Sequence, residues 1–355
     1  SSRLPQASRS WVGPLVCTMR AVGSALTSHF RDGKQHLPEI EPLRQLSRSV
    51  YAVLGMNPGP FALTGTNTYL VGTGPKRILI DTGEGKPEYL ANLERAMESL
   101  GATGLQEIVV THWHHDHLGG VPSVVARYGA DVPVRKFMPE AAEDIFGGEG
   151  AIDPFSVWPR ERFAPLRDGE TLRTEGATLR VLHTPGHAND HVVLVHIEEQ
   201  AMFTGDNVLG VGTSFFRDLG EYVASLERMH TAAIADGLRT LYPAHGPVIH
   251  DAQGKLREYI AHRQERIEQV LAALTGAARE AEKSGEKEDE EGGLTCVDLA
   301  RRLYAEVSEN LIPAAASNTL QALLKLERDG AVVRCGASED RMAQRWTPSK
   351  RPSKL

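Results

Sequence analysis

One stretch limits what this chain can fold into more than any other: Thr111-His112-Trp113-His114-His115-Asp116-His117-Leu118-Gly119-Gly120. Four imidazoles and a carboxylate fall within six residues. Packing explains them poorly, because every buried polar group needs a partner and these would compete for the same ones. A metal satisfies them together. The preceding run, Glu107-Ile108-Val109-Val110, is apolar and β-branched, which predicts a buried strand whose C-terminal end delivers the polar residues into a loop. Loops at strand ends are where α/β proteins carry their chemistry.

The spacing sharpens this. His112 and His114 are two apart and can aim at one ion, while Asp116 and His117 can reach a second. His187 sits in Thr184-Pro185-Gly186-His187, a tight turn that presents a single side chain. Asp206 ends the strand-like run from Ala201, and His245 ends Leu241-Tyr242-Pro243-Ala244-His245.

These residues resemble the metallo-β-lactamase superfamily of dinuclear zinc hydrolases, whose motif is HxHxDH followed by separate His, Asp and His. The resemblance implies two zinc ions per chain, one on His112, His114 and His187, the other on Asp116, His117 and His245, with Asp206 bridging. His115 falls at a variable position. It further implies a mixed α/β (α+β) fold, an αββα sandwich of two facing sheets with helices outside. Asp81 resembles the family's buried carboxylate that orients ligands or backbone, and Asp190 and His191 are further candidates for that task. His250, near His245, is a candidate substrate contact; His183 and His196 read as structural.

Residues outside the ligand set narrow the resemblance. Asn57-Pro58-Gly59-Pro60, Gly65 to Val71, Thr111 to His114, Thr174 to Arg180, Pro243 to His250 and a tail that resembles a winged helix are together similar to the β-lactamase-like protein 2 group. Animal members of that group are mitochondrial endoribonucleases, so the resemblance implies single-stranded RNA as substrate, with Asp116 as the catalytic proton acceptor. The alternative is a thioesterase, since fungal polyketide-associated thioesterases and glyoxalase II-like enzymes share this His-rich loop. A third reading makes the winged helix the active part and the sandwich a scaffold; the intact ligand set argues against it. The long acidic linker and the segment from Glu149 to Arg160 depart from the group.

Composition bounds the partners. At 355 residues, with 41% hydrophobic and 24% charged, the chain has room for about two domains. No apolar run approaches the roughly 18 residues that span a bilayer, so no membrane partner is expected. Cys17, Cys296 and Cys335 lie far apart and outside the metal motif, which indicates neither a disulfide framework nor a thiolate site. A net charge of -7 argues against a generally basic nucleic-acid binder, and no interleaved basic and aromatic stretch is visible.

Along the chain, residues 1–48 read as a disordered or transit-like extension, with Arg3, Arg9, Arg20, Arg31 and Lys34 against Asp32 alone in its first 36 residues. A mitochondrial location is expected, with the cytoplasm as alternative. Residues 49–250 form the expected catalytic domain, with helices at 87–100, 121–128 and 218–234. Periodicity fails between Glu140 and Arg167, which reads as a loop region whose aromatics pack on the surface, with a lining of the substrate entrance as the alternative. A connecting helix over 251–279 leads away from that domain with His262, Arg263 and Arg266 on its polar side. A charged linker follows at 280–293, then a winged-helix-like domain at 294–355 with three helices, the second starting near Pro313, and a hairpin. That domain holds ten Lys or Arg against seven Asp or Glu, a balance that permits nucleic acid.

Overall fold

The computed structural model describes residues 37–59, 62–139, 153–284, 293–305, 309–336 and 338–349. The extension through residue 36, most of the unpatterned segment (140–152) and the middle of the acidic run (285–292) lie outside the described residues.

Two sheets follow from strands whose apolar residues alternate or run on unbroken. The first has seven strands in chain order: β1 (Leu43–Gln45), β2 (Val50–Leu54), β3 (Asn67–Val71), β4 (Lys76–Ile80), β5 (Gly104–Val110), β6 (Val134–Phe137) and β7 (Phe163–Leu166). Strands β1 to β4 pair antiparallel and β4 to β7 parallel. The second has five: β8 (Thr171–Thr174), β9 (Ala177–His183), β10 (Val192–His196), β11 (Ala201–Gly205) and β12 (Thr240–Pro243), in the order β12-β11-β10-β9-β8.

Side chains two apart on a strand share a face, and this decides the layering. Val50, Ala52, Ile78 and Ile80 of the first sheet meet Val192, Leu194, Ala201 and Phe203 of the second in one buried cluster between the sheets. Their neighbours one residue along, Val53 and Leu79 on one side and Val193, Val195 and Met202 on the other, turn to the outer faces. Helices cover those faces. In α1 (Pro87–Ser99), Tyr89, Leu93, Ala96 and Met97 recur at helical spacing and are buried, each large side chain contributing about 1.5–3 kcal/mol. Beyond the short helix α2 (His115–Leu118), α3 (Val121–Tyr128) covers the same sheet. This is the αββα sandwich.

Three sequence expectations need correction. The stretch read as an unpatterned loop contains a short helix, α4 (Pro154–Val157), and the edge strand β7, where Pro165 is tolerated because an edge strand needs no donor on its outer side. Its aromatics Trp158 and Phe163 are buried with Trp113 rather than spread on the surface. In the tail, the two helices expected after α7 (Cys296–Leu303) are one, α8 (Ile312–Arg328), since Pro313 occupies its first turn, where the missing N–H costs nothing. The connecting helix also does not lead away. Helix α6 (Ala252–Ser284) runs through the first residues of the expected linker, and its Leu256, Tyr259, Ile267, Val270 and Leu274 pack against α5 (Leu219–Ala235) and the C-terminal module.

The C-terminal module pairs β13 (Leu294–Thr295), β14 (Val332–Cys335) and β15 (Arg345–Pro348) beside α7 and α8. Thr295 caps α7 in a capping box with Asp298. Among the described residues no helix is long and apolar enough to cross a membrane.

Candidate metal centre

All seven sequence-predicted ligand residues converge where strands end. Thr111 follows β5 and opens the His-rich loop, His187 sits in the turn between β9 and β10, Asp206 follows β11, and His245 comes two residues after β12. Backbone proximity shapes the loop: Gly120 lies so close to Thr82 that a Cβ there would come within 2.0 Å of the Thr82 carbonyl oxygen. In the second turn, Gly186 has φ +123 and a Cβ would stand 2.3 Å from the Tyr222 nitrogen, so only glycine fits.

Hydrogen bonds to the far ring nitrogens decide which nitrogen each imidazole presents. His187 Nδ1 donates to the Phe215 carbonyl (2.8 Å) and His245 Nδ1 to the Ala62 carbonyl (3.2 Å). His117 Nδ1 donates to Asp81 Oδ2 (2.8 Å). Thr111 Oγ1 donates to Asp81 Oδ2 (2.9 Å), so its oxygen accepts from His112 Nδ1 at 3.1 Å. The Nε2 atoms are thereby left with lone pairs facing inward.

Those lone pairs gather in two sets. His112 Nε2 lies 2.8 Å and His187 Nε2 3.1 Å from His114 Nδ1, and Asp206 Oδ2 stands 3.6 Å from His187 Nε2. In the other, Asp116 Oδ2 is 3.3 Å from both His117 Nε2 and His245 Nε2. Asp206 faces both, because its Oδ1 is 3.4 Å from His117 Nε2 and 3.2 Å from His245 Nε2. His114 Nδ1 can give at most one proton to the two acceptor nitrogens that it faces, so at least one of them stays unsatisfied unless a cation sits among them. The buried His117 Nε2 and Asp206 Oδ1 likewise have no hydrogen-bond partner. The residues fit a metal centre, and each set could hold one ion.

Electrostatics divide the sets. Burial, aided by neighbouring imidazoles, pushes His112 far below the usual histidine range, His114 to about 3, and His187 down as well. Burial also opposes charge on His117 and His245, yet Asp116 and Asp206 outweigh it, raising His117 strongly and His245 to about 10. The same pairing holds Asp116 and Asp206 well below the carboxylate range despite their burial.

Supporting residues were partly legible. Asp81, with φ +59, accepts from the Thr111 backbone as well as from His117. His191 Nε2 accepts the Asp206 backbone N–H at 3.1 Å. Asp190 instead pairs with the fully buried Lys136, and His250 is exposed and outside the cluster. His183 bonds the Asn189 carbonyl and His196 bonds Ser49, both structural. Sequence reading missed Thr66, which donates to Asp116 Oδ2 at 2.9 Å and is held in turn by Asn57. Both lie in stretches that carried the resemblance. Nothing in the sequence pointed to the Phe215 carbonyl.

A two-sheet sandwich with such a His and Asp cluster at its strand ends defines a metal-binding hydrolase. The chain belongs to the metallo-β-lactamase superfamily: residues 62–262 match that family, and residues 295–346 match the β-lactamase-associated winged helix domain. It is 40% identical to the β-lactamase-like protein 2 homologue of Drosophila melanogaster, over 82% of this chain and 92% of that one. It is 38% identical to an atrochrysone carboxyl ACP thioesterase of Aspergillus novofumigatus, over 87% of this chain and 88% of that one. Among solved structures, a metallo-β-lactamase family protein of Thermus thermophilus aligns with TM-score 0.58 and 27% identity, covering 86% of this chain and all (100%) of that chain.

Proposed function

We propose that the chain is a dinuclear zinc hydrolase acting on an acyl thioester. His112, His114 and His187 hold one ion, Asp116, His117 and His245 the other, and Asp206 serves both. The observation that carries the metal assignment is Asp206, buried between the two sets with one oxygen toward each. Imidazole-rich sets with few carboxylates suit zinc. Two such ions, when bound, acidify a water and neutralise negative charge developing on a substrate oxygen.

The chain's own residues supply the rest. Asp116 has the more exposed carboxylate, 21% against 12% for Asp206, and Thr66 fixes its Oδ2. It orients the attacking water and takes its proton. Asp81 and His191 keep the ligands aimed. A thiolate leaves without needing a proton, because thiols ionise near pH 8.5, so a thioester asks no general acid of this site.

Two observations favour the thioester. One is the kinship with proteins named acyl-carrier thioesterases. The other is charge in the C-terminal module, where Arg301, Arg302, Lys325, Arg328 and Arg334 pair with Glu309, Glu280, Asp329, Asp218 and Glu327, which blunts a field for nucleic acid. A second reading, single-stranded RNA, comes from the resemblance to the β-lactamase-like protein 2 group. It gains from a basic and aromatic pair at α4, which packs beside the His-rich loop: Arg160 lies 5.3 Å from the ring centre of the half-buried Phe155.

The test sets an acyl thioester beside a fluorescent single-stranded RNA, with the zinc-loaded wild type and Asp116→Ala. Thioester turnover lost in the variant, with intact RNA, is expected. RNA cleavage alone would move the substrate to the second reading.

A further inference from the structure

The loop between Asp206 and α5 is tied at one end to the metal cluster and along its length to the C-terminal half of the chain. Its Phe215 carbonyl accepts the His187 Nδ1 proton, and Ser214 Oγ lies 3.2 Å from the same nitrogen. From the sandwich, the Gly186 carbonyl accepts the backbone N–H groups of Arg217 (2.7 Å) and Asp218 (3.2 Å), which holds the segment after Phe215. Helix α6 holds the segment before it: Tyr259 and Arg263, one turn apart, both reach the loop. Tyr259 Oη accepts from the Leu209 backbone N–H (3.1 Å) and donates to the Gly212 carbonyl (2.9 Å). Arg263 Nη2 donates to Thr213 Oγ1 (2.7 Å) and to the Ser214 carbonyl (2.9 Å).

Arg263 is a long cation at 8% exposure, stacked over Phe216 at 4.9 Å and Tyr222 at 5.5 Å, where sequence periodicity had put it on the solvent side of its helix. Burying a guanidinium is costly unless its donors and its face are used. Here the two Nη2 bonds go to the segment immediately before Phe215, while the buried Nε has no hydrogen-bond partner among the described residues. At the loop's far end, Arg328 of α8 bonds the Asp218 that caps α5 (2.7 Å).

We propose that Arg263 is a positioning residue for the metal centre: by clamping residues 213–214 from the connecting helix it fixes the Phe215 carbonyl that orients His187, so that the helix carrying the C-terminal module sets the affinity of the His112, His114 and His187 set. The inference rests on the reading that this set holds an ion. A partner that orients a ligand imidazole is typically worth about 10–100-fold in metal affinity. The winged helix is then part of the support of the hydrolytic site, independent of whether it meets any substrate.

The test is a zinc titration of the full-length, metal-stripped protein against a chromophoric chelator, in a His245→Ala background so that the His187 set is read alone. Arg263→Met is expected to weaken that ion about tenfold or more, and Arg263→Lys, which keeps the charge but not the planar stack, to fall between. Arg266→Met is the control on the same helix; its guanidinium lies over Tyr304 at 4.9 Å, and it is expected to leave the ion unchanged. Circular dichroism establishes that each variant is folded, and should the Met variant not fold, the Lys variant alone decides. Unchanged affinity in the folded Arg263 variants, or an equal loss in Arg266→Met, overturns the proposal. A wild type that holds no zinc would instead fail the metal reading itself, and the inference with it.

Discussion

Replacing Asp81 by asparagine changes one heavy atom and should weaken one metal set and spare the other. Asp81 is 1% exposed; its Oδ1 accepts the Thr111 backbone N–H (2.8 Å), and its Oδ2 accepts the Thr111 hydroxyl (2.9 Å) and His117 Nδ1 (2.8 Å). Asparagine keeps the first bond through its carbonyl, while its NH2 then faces the hydroxyl and the imidazole. An amide NH2 only donates, so His117 Nδ1 must accept and the ring proton moves to Nε2, the atom that faces Asp116 and Asp206. A protonated nitrogen is no ligand. The mismatched bonds cost about 1–3 kcal/mol of stability, and zinc at the Asp116, His117 and His245 set should weaken about 10–100-fold, with the His187 set untouched. Competition titration with a chelator measures both constants. Asp81→Ala leaves three donors unsatisfied at about 1–3 kcal/mol each and should not fold stably. Asp81→Asn binding two ions with wild-type constants would refute the reasoning, as would equal weakening of both sets.

Two further predictions concern charge and backbone. In the metal-free protein His117 is raised strongly and His245 to about 10, so both contribute stability that is complete below their unfolded pKa of about 6.5 and is lost as the pH rises through the folded values. Zinc must displace those protons and none from the already neutral His112, His114 and His187, so loading at pH 8 should release about two protons per chain from the second set, and about one more from the water that the ions acidify. Affinity of that set should then rise roughly 100-fold per pH unit near pH 7 to 8, while the first set's stays flat; indicator-dye titration that detects no proton release counts against the assignment. Gly186→Ala, at φ +123 with the Tyr222 nitrogen 2.3 Å from the new Cβ, should cost several kcal/mol and lower the thermal midpoint by about 10 °C or more; an unchanged midpoint would mean that the turn is not held as described.

What the sequence revealed follows from how local each signal is. The His-rich loop, its preceding strand and the three later ligands were legible because each is a short polar group after an apolar run, and the resemblance supplied the pairing into sets. Most strands and outer helices were legible from periodicity, while their layering into a sandwich came from the resemblance. Strand β7 was not, since Ala164 and Pro165 break any apolar pattern and an edge strand demands none. Pro313 looked like a helix boundary and is instead the first turn of α8. Arg263 looked like a solvated charge because periodicity reports hydrophobicity, and its burial depends on acceptors supplied by a loop about 50 residues away in sequence. Asp190 lies three residues after His187 in sequence, but its carboxylate turns to Lys136.

The proposed function needs these seven residues to hold two ions side by side. Anomalous diffraction at the zinc edge from crystals of the zinc-loaded protein tests it most directly. Two peaks about 3.5–4 Å apart are expected, one at bonding distance from His112 Nε2, His114 Nδ1 and His187 Nε2, the other from Asp116, His117 and His245, with Asp206 touching both. A single peak, or zinc bound elsewhere with the cluster empty, would contradict it.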